Sequence, residues 1–267
     1  MNTDTLPWWQ DLTSAAIADL ATRDAVAILP LSAIEQHGPH LPLETDYRIG
    51  IGLLQATFAT LQDDLPLAVL PPLAVATSTE HTSFAGTLTL RPETALATLR
   101  DIGDSVARSG LRRLLIVNSH GGNTAICDLA ALELRRTHGM LVVKHHYFTQ
   151  PPPEALGIKS SELRHGLHGG LIETAMMRYL VPGKVHMGAA AAAPSLGARL
   201  EDEMETLEPE GRASFAWMAG DLNPSGVVGD AGSATAELGQ RLVEHYAGHL
   251  AATIRDAAGF DLTHLVR

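Results

Sequence analysis

Apolar residues recur along this chain in two alternating rhythms. The short aliphatic runs "AVAILPL" (25–31), "LAVLPPLAV" (67–75), "RLLIVNS" (113–119) and "MLVVKHHYF" (140–148) read as strands. Between them lie "TDYRIGIGLLQATFATLQ" (45–62), "RPETALATLRDIGDSVARSG" (91–110) and "NTAICDLAALELRRTHG" (123–139), which carry apolar positions at helical period. The last two end in glycine, as helix C-termini often do. Such alternation predicts an α/β fold with a mostly parallel sheet covered by helices. Beyond residue 150, "TQPPPEALG" reads as a loop, "GGLIETAMMRYL" as a helix, and 231–257 as a closing helix. The acidic "LEDEMETLEPEG" reads as a solvated face or loop. No internal repeat or linker interrupts the pattern.

With 45% hydrophobic residues among 267, the chain can bury a sizeable core. Its formal charge of -11, from 19 basic and 30 acidic residues, argues against nucleic acid and anionic membrane as partners, since both need a basic patch. A small molecule or a peptide is the expected substrate. The single cysteine, Cys127, sits in apolar "TAICDLAALEL", forms no intramolecular disulfide and reads as a core residue. No basic stretch followed by an apolar one opens the chain at 1–21, and no run approaches the roughly eighteen apolar residues of a membrane span. The expectation is a cytoplasmic protein in a reducing compartment.

In parallel α/β sheets ligands bind beyond the carboxyl ends of the strands, and the chemistry-bearing residues fall there. "EQHGPH" follows the first strand, "STEHTSF" the second and "HGGN" the third. Glu35 and His37, two apart, point the same way in an extended segment, and Asp46 opens the next helix. A carboxylate there either caps the helix or, with its two oxygens, bridges two metal ions. His120 stands at a strand tip before Gly121 and Gly122, where the backbone can come close to a ligand, and Asn123 or Thr124 is placed to cap the following helix. A phosphate-cradling loop would end in Gly-Lys-Ser/Thr, which is missing. "RHGLHGGLIETAMM" adds His165, His168 and Glu173, with His168 as a proton shuttle and Glu173 as a ligand or an acid/base group. Ser119 lacks the Gly-x-Ser-x-Gly elbow of a nucleophile.

Taken together, "EQHGPHLPLETD", "STEHTSFAGTLTL", "NSHGGN", "HGGLIET" and "GVVGDAGSATAELG" resemble the creatininase (creatinine amidohydrolase) family over about 25–257. The resemblance implies one domain over 1–267, a three-layer sandwich around a mostly parallel sheet, assembled as a homohexamer. It also implies two divalent metal ions per chain, Zn2+ and/or Mn2+ or else Fe2+, and hydrolysis of a C–N amide bond. Glu35, Asp46 and His120 would hold one ion, and His37 and Asp46 the other. Creatininase itself carries an acidic ligand where this chain has Gly122, and Glu173 is the implied replacement. Ser119 and Ala85 stand where the family commonly has glycine and proline, and "PLSA" replaces "PxGS". These departures turn the expectation away from creatinine.

The expected mechanism is attack of metal-activated water on the amide carbonyl. His168 passes the proton to the leaving nitrogen, and Ser78, Glu80, His81 and Gly121 line the substrate pocket. A peptidase-like member acting on a short peptide precursor is the alternative within the family. An isomerase or phosphoesterase, or a non-catalytic metal scaffold, are the alternatives outside its chemistry.

Overall fold

The computed structural model describes residues 6–61 and 64–266. Helix α1 (Ser14–Thr22) leads into β1 (Val26–Leu31), α2 (Thr45–Thr60), β2 (Leu67–Val69), α3 (Pro92–Arg108), β3 (Arg113–Asn118), α4 (Thr124–His138) and β4 (Leu141–His146). Then come α5 (Ser160–His165), α6 (Leu171–Leu180), β5 (Ala192–Ala193), α7 (Leu196–Glu203), β6 (Leu207–Glu208), β7 (Ala213–Ser214), α8 (Ala219–Leu222), β8 (Gly229–Asp230) and α9 (Ala236–Gly259). The central sheet has the order β2-β1-β3-β4 and is parallel throughout, with Val26 opposite both Leu67 and Arg113.

The pleat sorts the strand residues onto two helical layers. Ala27, Leu29, Leu31, Leu114 and Ile116 point to Ile17 of α1, Leu99 and Val106 of α3, and Cys127 and Leu134 of α4. Val26, Ile28, Leu115 and Val117 point the other way, to Ile51 and Leu54 of α2 and Leu250 and Ile254 of α9. Each buried aliphatic side chain contributes about 1.5–3 kcal/mol. Both faces covered is why β1 and β3 are apolar continuously rather than alternately. Outside the second layer, α6 packs on α2 and α9 through Met176, Met177, Ile49, Leu53, Leu242 and Tyr246. A Cβ on Gly239 would stand 1.8 Å from the carbonyl oxygen of Ala175, so only glycine permits this helix crossing.

The segments read as strands and helices form, with local differences at their ends. The second strand stops at Val69 instead of running to 75, because Pro71 and Pro72 have no N–H to donate. The chain still follows β1 beyond it: Leu70 N donates to Ile28 O at 2.8 Å and Leu73 N to Pro30 O at 3.0 Å. The fourth strand ends at His146 in a single 3-10 turn, Tyr147–Thr149. The helix over 45–62 ends at Thr60, and residue 62 lies outside the described residues, as do 1–5 of the segment read at 1–21. Gly139 takes the left-handed conformation (φ 67) and closes α4. The closing helix starts at Ala236, after a 3-10 turn at Ala231–Ser233, and runs to Gly259. The acidic 200–211 stretch is mostly exposed, with Glu208 3.0 Å from Arg164. Among the described residues no helix is long and apolar enough to cross a membrane.

Candidate metal centre

Three loops at the carboxyl ends of β1, β2 and β3 are tied together before any side chain is aimed. Asn123 Oδ1 accepts from Thr77 N at 3.0 Å and from Thr77 Oγ1 at 2.8 Å, while its Nδ2 donates to Ser32 O at 3.1 Å. It therefore caps no helix, and neither does Thr124, whose hydroxyl donates to Gly121 O at 2.8 Å. Asn118 holds the next turn, donating to His120 O at 2.8 Å and accepting from His120 N at 3.2 Å. In the β1 loop, Glu35 N donates to Leu43 O at 3.0 Å. The Gln36 amide is fixed by three contacts: it donates to Gly226 O and to His81 Nδ1, both at 2.8 Å, and accepts from Gly38 N at 3.0 Å. Gly38 turns at φ +71, and a Cβ there would stand 2.3 Å from Val227.

Inside this frame the structure brings together Glu35, His37, Asp46, His120, His168, Glu173 and Glu80. Asp46, second residue of α2, is buried and caps nothing. One of its oxygens lies 3.3 Å from His37 Nε2 and the other 3.5 Å from His120 Nδ1, so the carboxylate spans the two histidines. Glu173 Oε2 is 3.9 Å from His37 Nε2. His120 Nε2 is 3.3 Å from Glu35 Oε2 and 3.2 Å from Glu80 Oε1. Three overlapping sets of potential ligand atoms result: Glu35, His37 and His168; Glu35, Glu80 and His120; His37, Asp46 and Glu173.

Hydrogen-bond accounting shows what these sets lack. His37 Nδ1 lies 3.1 Å from Glu35 O, and a carbonyl only accepts, so the proton is on Nδ1 and Nε2 is left facing the carboxylates. His168 Nε2 likewise donates to Gln36 O at 2.6 Å, which turns Nδ1 towards Glu35 Oε1, 3.6 Å away. Glu35 Oε1, His37 Nε2, Asp46 Oδ2 and His120 Nε2 are all buried without a hydrogen-bond partner. Orphaned buried polar atoms are costly, and here four converge from two loops and the start of α2. Ligand atoms around one tetrahedral ion with bonds of about 2.0–2.2 Å stand roughly 3.3–3.6 Å apart, close to the separations seen here. The donor set fits divalent cations.

Ionisation follows the same geometry. Burial pushes the Glu35 carboxyl up to about 8, against the opposing pull of His120 and His37. Burial alone would lower His37 and His120, yet Asp46 and Glu35 respectively, with the other carboxylates, raise both to about 10. Protons and a cation thus compete for the same lone pairs, since ligation needs neutral imidazole and ionised carboxylate. Burial, with His37 and His81 alongside, holds His168 well below the ordinary imidazole range. His168 lies between His37 and His81, with ring centroids 4.1 and 4.2 Å away.

The remaining expected residues occupy distinct places. Ser78 donates a short hydrogen bond to Glu35 Oε2, and His81, accepting from Gln36 through Nδ1, turns Nε2 to Glu35 Oε1 at 3.3 Å. Burial lowers His81 to about 4, so it stays neutral. Gly121 is exposed, and a Cβ there would meet nothing within 4 Å. Glu173 Oε2 accepts from Gly169 N at 2.6 Å, and Tyr147 lies against the same carboxylate. His165 turns away to Glu201, at 2.7 Å.

Sequence reading missed several residues that hold the frame. His40 Nε2 joins Gly169 O at 3.1 Å and Thr174 Oγ1 at 2.9 Å. Glu162 accepts from Leu171 N and Asp230 N, both at 2.8 Å, pinning the start of α6. Gln36 and His40 lie within "EQHGPH", so the density of that motif was their signal. Glu162 had none.

Residues 10–254 match the family described as creatininase, creatinine amidohydrolase. A mycofactocin precursor peptide peptidase of Mycobacterium tuberculosis is 31% identical over 243 residues, covering 87% of this chain and 85% of that protein. A creatinine amidohydrolase of Pseudomonas putida is 30% identical over 190 residues, covering 64% of this chain and 70% of that protein. Among solved structures, a crystal structure of creatinine amidohydrolase (creatininase) superposes with a TM-score of 0.76 at 26% identity, over 96% of this chain and 99% of that one. A structure named creatininase Mn gives 0.75 at 25% identity, over 95% of this chain and 99% of that one.

Proposed function

The chain belongs to the creatininase family, and from that premise we propose that it is a divalent-metal-dependent hydrolase cleaving a C–N amide bond in a short peptide. The observation that carries the metal reading is the convergence of four orphaned buried atoms, on Glu35, His37, Asp46 and His120. In this reading Glu35 and His120 would hold one ion and His37 and Glu173 the other, with Asp46 placed to contribute to both. The mixture of carboxylate and imidazole suits Zn2+, Mn2+ or Fe2+. Ions so held supply a water of lowered pKa and polarise the amide carbonyl.

The protein groups do the rest. Ser78 and His81 keep Glu35 oriented, and Gly169 N–H with Tyr147 orients Glu173. His168, its Nε2 proton fixed on Gln36 O, presents a neutral Nδ1 that would take a proton from the attacking water and deliver it to the leaving nitrogen. The open backbone at Gly121 leaves room for an extended substrate to pass over the site. The similarity to the mycobacterial peptidase spans more of the chain than that to the Pseudomonas creatinine amidohydrolase, which favours a peptide amide over creatinine. A homohexameric, cytoplasmic enzyme is part of the same reading, and light scattering tests the assembly.

Elemental analysis of the purified protein, followed by turnover of short peptides, formamides, creatinine and an aryl phosphate, tests the function. About two divalent ions per chain with peptide cleavage is the expected result. Metal-free protein that takes up no Zn2+ or Mn2+ refutes the mechanism, and phosphate-ester turnover alone moves the assignment to a phosphoesterase.

A further inference from the structure

Gly122 is glycine for reasons of space. Its φ is not in the left-handed region, so its backbone conformation is open to other residues, but a Cβ would stand 2.3 Å from Glu80 Oε1 and 2.5 Å from His120 Nε2. The volume that a side chain at 122 would fill is taken by the Glu80 carboxylate and the His120 ring together. Glu80 reaches it from the single 3-10 turn Thr79–His81 on the β2 loop, across the rim from His120. Its Oε1 comes to 3.2 Å from His120 Nε2, which is buried and has no hydrogen-bond partner, and both group with Glu35. Contacts this close that do not align as hydrogen bonds are the arrangement of ligands around a shared point.

We propose that Glu80 is a metal ligand, the donor that completes the Glu35 and His120 set, and that Gly122 is the gap that admits it. This rests on the two-ion reading of the centre. With Asp46 shared between the poles, Glu35, Glu80 and His120 would stand at one, and Glu173 and His37 at the other. Having an open position for water or substrate is what distinguishes a catalytic from a structural site. Because Glu80 arrives from a different loop than Glu35 and His120, the first ion ties β1, β2 and β3 loops together, and its loss loosens all three.

The test is metal binding, read independently of turnover, on full-length protein. Wild type, Glu80→Gln, Gly122→Ala and Asp46→Ala are stripped with chelator, reloaded with Co2+, and followed by ion content after dialysis, by titration calorimetry and by the visible Co2+ spectrum. Glu80→Gln is expected to retain about one ion per chain, or to bind the first at least tenfold more weakly, with a changed Co2+ band. Gly122→Ala, which leaves the carboxylate in the chain but pushes it off His120, is expected to do the same. Two ions at wild-type affinity and an unchanged spectrum in both Glu80→Gln and Gly122→Ala overturn the role of Glu80 while leaving the metal centre intact. No ions in wild type overturns both, so the two failures are distinguishable.

Discussion

The rim of the sheet carries histidines in two places, and only one of them has the makings of a site. Above β1 and β3, His37 and His120 each end in a buried nitrogen with no hydrogen-bond partner, facing carboxylates from other loops. At the end of β4, His145 is buried and His146 half-buried, and the Nδ1 of each already has a partner. His145 Nδ1 joins Thr253 Oγ1 at 3.1 Å, and His146 Nδ1 accepts from Asn118 at 2.9 Å. Burial lowers both, His145 to about 4; Asp128 pulls His146 back only in part, and no carboxylate offsets the burial of His145. Histidine density does not make a metal centre. What makes one is a set of desolvated lone pairs that the protein itself leaves unanswered.

Asp46→Ala attacks that contrast most directly. Removing the carboxylate that spans His37 and His120 is expected to empty the centre of both ions and to lower kcat/KM on the order of 10³-fold, the worth of several kcal/mol of metal electrostatics. Elemental analysis together with kinetics checks it, and a fully loaded Asp46→Ala protein would break the contrast. His168→Ala should keep both ions yet lose roughly 10²-fold in kcat, because it removes a proton carrier and not the charge of the centre. At the other place, His145→Ala is expected to bind the wild-type complement of metal and to be less stable by about 1–2 kcal/mol in urea unfolding, the cost of an ordinary buried polar contact. The smallest effect belongs to Cys127. Burial pushes its thiol up to about 12, so iodoacetamide at pH 8 should leave the native protein unlabelled and modify it only in denaturant.

Much of the layout can be read without coordinates. The strand segments around 26–31 and 113–118 are apolar on both faces, which betrays a doubly covered parallel sheet, and Gly139 and Gly110 mark the helix ends they follow. Glu35, His37, Asp46 and His120 stood out because chemistry-bearing residues were packed into loops that glycine and proline keep from being helices. Less legible was what each polar residue faces. Asn123 looks like a helix cap and is in fact a clasp between three loops, since its side chain finds Thr77 and Ser32 before it finds a helical N–H. Glu162, in a segment with no local signal, braces α6 from a site about nine residues back in the chain.

The sequence by itself determined the α/β architecture and the ligand-rich rim, because hydrophobic period and loop chemistry are local properties written within a few residues. Tertiary structure alone decided which lone pairs are left without partners. Whether His37 Nε2 is free depends on the carbonyl that takes its other nitrogen, and the Glu80 carboxylate lies beside His120 where a Cβ at Gly122, more than forty residues along the chain, would come within 2.3 Å of it.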